Sequence, residues 1–318
     1  MTALTRNTQP QLRRTMSPWK RDMQENWKLY LMFIPVAAYF IVFHYIPMGG
    51  IAMAFQDYKV TRGLFGSEWI GLENFIMLME DESFLLALRN SFAMALCNLT
   101  IGFVMPILLA LLITSIKPGR HTRTIQTITY LPNFVSSVVV CALAAEFLGN
   151  KGALTALLTA LGFEQQNWLA NSDIPVFWLL NTGINVWQGC GWRAIVYIAA
   201  IYNINGDLHE AAAIDGANRW QRLLYIVLPG IMPMIMMMLT MRIGLVFREG
   251  FDKVLLLYMP ITYETSDCLH TFTYRMAFAG MPDYGLSTAS GLFQSVIATI
   301  LLVVSNALNK KATGYALY

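Results

Sequence analysis

Three arginines, Arg193, Arg242 and Arg248, lie within or beside long apolar stretches of a 318-residue chain, together with Asn181, Asn185, Trp187, Gln188 and Trp192. Charge inside a bilayer is costly and usually faces a cavity or a partner group. A guanidinium placed there can fork onto a carboxylate, and an indole can lie flat against a ring-shaped solute. These eight residues therefore form a candidate pathway for a polar solute. The competing account is pairing between helices, for instance with Glu146, or snorkelling to the interface. Other chemistries find little footing. Cys97, Cys141, Cys190 and Cys268 show no close pairing, and His44, His121, His209 and His270 no i, i+4 spacing, so neither a disulfide framework nor a metal site is expected. With no Gly-x-x-x-x-Gly-Lys-Ser/Thr loop, the chain is not expected to hydrolyse ATP by itself. It also lacks paired acids and a Gly-x-Ser-x-Gly elbow, so it is read as non-catalytic. The methionines, including the run at Met236, Met237 and Met238, are read as flexible packing.

The elements that must hold these residues are membrane helices. Hydrophobic residues make up 56% of the chain and charged ones 13%, with a mean hydropathy of +0.49. A soluble domain carries roughly a quarter charged residues, so much of this surface is expected to meet lipid. The net charge of +3 argues against a nucleic-acid partner. A span needs about 20 apolar residues, and six stretches qualify, at 29–51, 87–113, 124–148, 174–201, 226–247 and 286–308. Pro35, Pro47, Pro106, Pro132, Pro175, Pro229 and Pro233 predict kinks or ends within them. The fold class is thus an all-α membrane protein of about six transmembrane helices.

Basic residues in the short connections set the orientation. Arg6, Arg13, Arg14, Lys20, Arg21 and Lys28 precede the first span; Lys117, Arg120 and Arg123 follow the second; Arg219 and Arg222 follow the fourth; Lys310 and Lys311 close the sixth. Both termini are therefore expected in the cytoplasm. The implied organisation is a cytoplasmic segment at 1–28, a first span with its extracytoplasmic loop at 29–86, a core of five spans at 87–309 and a tail at 310–318. The outside loops at 56–84 and 248–285 are long enough to form structured elements of their own.

The connection between the fourth and fifth spans, at 203–225, reads as two short helices around a break. Asp207 is the expected N-cap, 208–214 is rich in helix formers, and Gly216 supplies a left-handed stop. Ala211, Ala212 and Ala213 make one side thin enough for another protein to approach closely. A helix resting on lipid would instead want large apolar residues and a lysine-rich face.

Glu210-Ala211-Ala212, three residues, Gly216, nine residues and Ile226-x-Leu228-Pro229 resembles the EAA signature of permease subunits of binding-protein-dependent ABC importers, with every fixed position and both spacings present. The stretches 43–50, 54–58, 69–75, 129–134, 214–222 and 291–295 further resemble the LplB type of sugar-importer permease. The resemblance implies a type I importer permease fold, with Glu210, Ala211, Ala212, Asp215 and Gly216 coupling this loop to a cytoplasmic ATPase. It implies as partners two ATP-binding cassette subunits, which use ATP and Mg, a second permease, either a different chain or a copy of this one, and an extracytoplasmic solute-binding protein. The cargo it implies is an oligosaccharide or polysaccharide, acidic as in alginate, and the place the bacterial cytoplasmic membrane. No cofactor is expected on this chain. An ion-coupled secondary transporter is the rival, but it would want intramembrane carboxylates, and only Glu146 falls within a predicted span.

Overall fold

The computed structural model describes residues 18–117, 119–247 and 250–314. Two compact units divide the chain, Met1–Ala52 and Met53–Tyr318. In the first, helix α1 (Trp27–Phe40) runs through a π-helical turn, Ile41–Tyr45, and exposes apolar side chains all round. That is the surface of a helix whose solvent is lipid.

The second unit opens with a two-residue antiparallel ladder, β1 (Gln56–Asp57) against β2 (Glu68–Trp69), in the register Gln56 to Trp69 and Asp57 to Glu68. This small sheet is the one departure from an all-α reading among the described residues. Helix α2 (Glu82–Cys97) is capped by Asp81, whose carboxylate accepts from the Ser83 and Phe84 amides. A π turn at Asn98–Gly102 joins it to α3 (Phe103–Ser115). Next come α4 (Arg120–Tyr130), α5 (Ser137–Leu148), α6 (Val176–Tyr202) and the short α7 (Gly206–Ile214). The fifth span starts at Arg219–Arg222, passes through a π turn at Leu223–Val227 and continues as α8 (Leu228–Gly244). Short helices, among them Phe251–Leu257 and α9 (Leu269–Phe278), fill the connection to the last span, α10 (Tyr284–Thr313).

Five helical segments are long and apolar enough to cross a membrane: Trp27–Phe55, Glu82–Ser115, Ser137–Ala160, Arg219–Gly244 and Tyr284–Lys311. The sixth expected span, α6, has 27 residues and hence the length. Its polar residues keep it out of that group, and packing explains why they are tolerated. Ala194, Tyr197, Ile198 and Ile201 join a core with Phe103 and Ile107 of α3 and Ile231 and Ile235 of α8. Phe177 joins a second core with Met94 of α2 and Cys141 and Leu148 of α5. One side of α6, which carries Asn181, Asn185 and Gln188, is therefore packed against protein, where polar groups can find partners.

The expected span at 124–148 is not one helix. A 3-10 turn at Leu131–Phe134 ends α4, and Ser136 caps α5 by accepting from the Val139 amide. Pro132 has no amide hydrogen to return to Ile128 and so interrupts the ladder at this turn; Leu131 keeps helical angles, and the backbone becomes extended at Val135 and Ser136. Three other prolines act more gently. Each π turn contains the residue four before a proline: Phe43 for Pro47, Gly102 for Pro106 and Tyr225 for Pro229. That carbonyl cannot bond to the proline and would collide with its ring, and the wider turn makes room for it.

Candidate functional site

The loop between α6 and α8 stands clear of the bundle. Asn205, rather than Asp207, is the N-cap of α7: its side chain accepts from the Asp207 amide at 3.1 Å. Asp207 lies in the first helical turn, where its charge suits the helix dipole. At the other end Gly216 adopts φ +78°, and the amides of Gly216 and Ala217 return to the carbonyls of Ala213 (3.2 Å) and Ala212 (2.8 Å). This pair of bonds is a Schellman stop. Asn218 and Gln221 then form a reciprocal capping box that starts the next helix. The break is thus fixed by backbone bonds on one side and by side-chain caps on the other.

No side chain of α7 is buried. Glu210, Ala211, Asp215 and Gly216 are exposed and Ala212 half-buried, so the structure brings all five coupling candidates onto one accessible element. Sequence reasoning missed the large apolar groups beside them. Leu208, Ile214 and Trp220 are 52%, 87% and 73% exposed. Behind α7 lies a cavity of about 400 Å³, lined by His209, Arg219 and Arg222 and by the ends of α3 and α6.

The pathway candidates do not converge on one place. Asn181, Asn185 and Gln188, spaced by four and three residues, share a buried stripe of α6. Asn181 Nδ2 points at Met94 Sδ (3.6 Å), and Gln188 Nε2 donates to the Val135 carbonyl at the break after α4 (2.8 Å). Trp187 turns away and lines a mostly apolar cavity with Leu143 and Phe147. Trp192 meets Phe134 edge to face at 5.6 Å and stays half exposed. Arg193 folds back along α6, its Nη2 donating to the Asn185 carbonyl (3.2 Å). Arg242 reaches the π turn of the second span, its Nη2 3.8 Å from where a Cβ on Gly102 would stand. Arg248 lies outside the described residues. Glu146, offered as a helix-pairing partner, is exposed on α5.

A residue absent from the candidate set completes the stripe. Lys253, from the short helix Phe251–Leu257, is buried, and its Nζ donates to Asn185 Oδ1 at 2.5 Å. Lys253, Asn185 and Arg193 border a small polar cavity of about 190 Å³ with Ser137, Gly250 and Asp252. Lys253 was hidden because sequence reading placed it in an outside loop. Its setting in Phe251-Asp-Lys-Val-Leu-Leu-Leu257, one cation in an apolar run, was the available signal. Among the described residues, no group of three or more His, Cys, Asp or Glu side chains gathers as metal ligands would.

The family profile described as binding-protein-dependent transport system inner membrane component matches residues 102–313. The chain belongs to this family of transport permeases. Across 294 residues the permease is 37% identical to the polygalacturonan/rhamnogalacturonan transport system permease protein YteP of Bacillus subtilis (strain 168), covering 91% of this chain and 90% of that protein. It is 33% identical to Protein LplB of the same organism, over 92% of each chain. Its fold matches a chain from the crystal structure of a bacterial ABC transporter involved in the import of the acidic polysaccharide alginate. The TM-score is 0.86 and the identity 36%, over 93% of this chain and all of that one. The TM-score and identity are the same for the bacterial alginate ABC transporter in complex with alginate pentasaccharide-bound periplasmic protein, over 94% of this chain and 99% of that one. The permease fold expected from the EAA loop is therefore the fold found.

Proposed function

We propose that this permease forms half of the translocation pathway of an ATP-driven importer in a bacterial cytoplasmic membrane, with both termini in the cytoplasm, and that it carries an acidic oligosaccharide or polysaccharide. The observation that carries the reading is α7: an exposed, alanine-rich helix, closed by a fixed glycine stop and joined through one capped break to the helix that becomes the fifth span. A helix that buries nothing in its own bundle is built to be buried by something else. Two ATPase subunits in trans supply the energy, using ATP and Mg, and nucleotide binding favours one of two membrane conformations. Glu210, Ala211, Ala212, Asp215 and Gly216 form the contact and its pivot. A second permease, a different chain, provides the other half of the pathway, and an extracytoplasmic solute-binding protein delivers the cargo.

The saccharide class is supported by relatives named for polygalacturonan and alginate transport. Acidic cargo also suits the small cavity beside Asn185, whose lining carries the two cations Lys253 and Arg193 against the one carboxylate of Asp252. Purification from the native membrane in mild detergent tests the assembly: an ATPase and a second permease are expected to remain bound. Recovery of this chain alone, still transporting under an ion gradient without ATP, would replace the importer with a secondary transporter.

A further inference from the structure

His270, Tyr274 and Phe278 recur every fourth residue along α9, which places them on one face of that helix. The rings form a continuous series. Tyr274 and Phe278 are 5.1 Å apart between centroids, and Phe251 stands 5.7 Å from His270 and 6.2 Å from Tyr274. This face is open: Tyr274 is 44% and Phe278 70% exposed. His270, Tyr274 and Phe278 line a cavity of about 570 Å³, a volume typical of small-molecule sites.

The opposite wall, from α10, carries Ser287, Gln294 and Ser295 alongside Gly291 and Ala298, with Ser287 and Gln294 set deepest. Gln294 Nε2 donates to Thr273 Oγ1 at 2.9 Å and to the Leu269 carbonyl at 3.3 Å, which fixes the amide with its oxygen turned the other way. That Oε1 accepts no hydrogen bond among the described residues. Ser287 and Ser295 spend their protons on the carbonyls of Thr273 and Gly291, leaving their oxygens as acceptors. The cavity thus pairs an aromatic platform with a row of acceptors. An apolar helix seated there would cover those acceptors without donors, which is costly. A sugar ring satisfies both walls, since its C–H face stacks on aromatic rings while its hydroxyls donate.

We infer that α9 and the facing side of α10 form a saccharide track, in which Tyr274 and Phe278 hold successive sugar rings by their apolar faces and Gln294, with Ser287 and Ser295, receives the sugar hydroxyls. The inference rests on the saccharide reading above and adds residues to it: sequence analysis placed none of these in the pathway. Because the rings form a series, the track favours longer chains over shorter ones.

The test is competitive uptake into proteoliposomes holding the complete importer, with alginate and galacturonate oligosaccharides of two and five units. Wild type is expected to import at least one series. Import of none of the four removes the saccharide reading itself, before any variant is compared. In the double variant Tyr274→Ala, Phe278→Ala the ratio of five-unit to two-unit uptake is expected to fall about tenfold, the loss of one to two stacked rings, while Tyr274→Phe keeps the wild-type ratio. A general folding defect would lower both uptakes and leave the ratio alone. An unchanged ratio in the double variant, an equal fall in Tyr274→Phe, or loss of the second permease from the purified double variant would each overturn the track.

Discussion

The Lys253 ammonium donates to Asn185 Oδ1 across 2.5 Å, tying the connection between the fifth and sixth spans to the middle of α6. Both groups are buried, so removing one partner is worse than removing both. Asn185→Leu is expected to lower stability by about 1–3 kcal/mol, and adding Lys253→Met is expected to recover part of that loss. Thermal unfolding of the singles and the double in detergent measures the coupling; additive losses would mean that the pair contributes nothing jointly.

Two glycines on α6 should respond in opposite ways to alanine. A Cβ on Gly191 would stand 2.1 Å from the Thr129 carbonyl oxygen of α4, and backbone cannot yield as a flexible side chain can. Gly183 has nothing within 4 Å of the same addition. Gly191→Ala is therefore expected to reduce the folded yield severely. Gly183→Ala is expected to be neutral or slightly stabilising, by up to about 1 kcal/mol, through helix propensity. Size-exclusion profiles of the two purified variants decide this.

At Gly216 the strain is conformational alone, since φ is +78° and no neighbour lies within 4 Å of a Cβ. Asparagine tolerates this region and valine does not. Gly216→Asn is expected to transport nearly as wild type, whereas Gly216→Val, costing roughly 1–2 kcal/mol in the turn, is expected to uncouple ATP hydrolysis from uptake. The measured quantity is the ratio of ATP hydrolysed to solute accumulated.

Glu210 is exposed and makes no side-chain hydrogen bond or ion pair among the described residues. Glu210→Lys is expected to leave the unfolding midpoint within the roughly 0.5 kcal/mol typical of surface changes, yet to weaken co-purification of the ATPase. Retention of the ATPase at wild-type stoichiometry in high salt would remove Glu210 from the docking contact.

What was readable in the sequence, and what was not, divides along local and non-local lines. Apolar runs located the spans, because lipid imposes a nearly uniform requirement on every residue it touches. The stop at Gly216 was legible because a left-handed residue after a helix is a local demand. Asp207 was mistaken for the cap because Asn205 and Asp207 are both good N-caps two residues apart, and spacing alone does not choose between them. The break at Leu131–Phe134 was signalled by Pro132 but masked by the apolar composition around it. Trp192 shares the stripe of Asn185 and Gln188 by spacing, yet it sits beside that break and is only partly covered. Lys253 and Asn185 are 68 positions apart, and no local pattern reports that meeting.

The π turns at Ile41–Tyr45, Asn98–Gly102 and Leu223–Val227 carry a further consequence, for how the length of this chain can drift. A π turn is an α-helix holding one surplus residue. Deleting one residue inside it, once the proline that follows has also been replaced, restores ordinary winding and keeps the helix faces on both sides in register, whereas a deletion elsewhere in a span rotates everything beyond it by about 100°. Single-residue gaps between descendants of this permease are therefore expected to gather at these three turns, where lineages can gain or lose a residue without repacking the bundle.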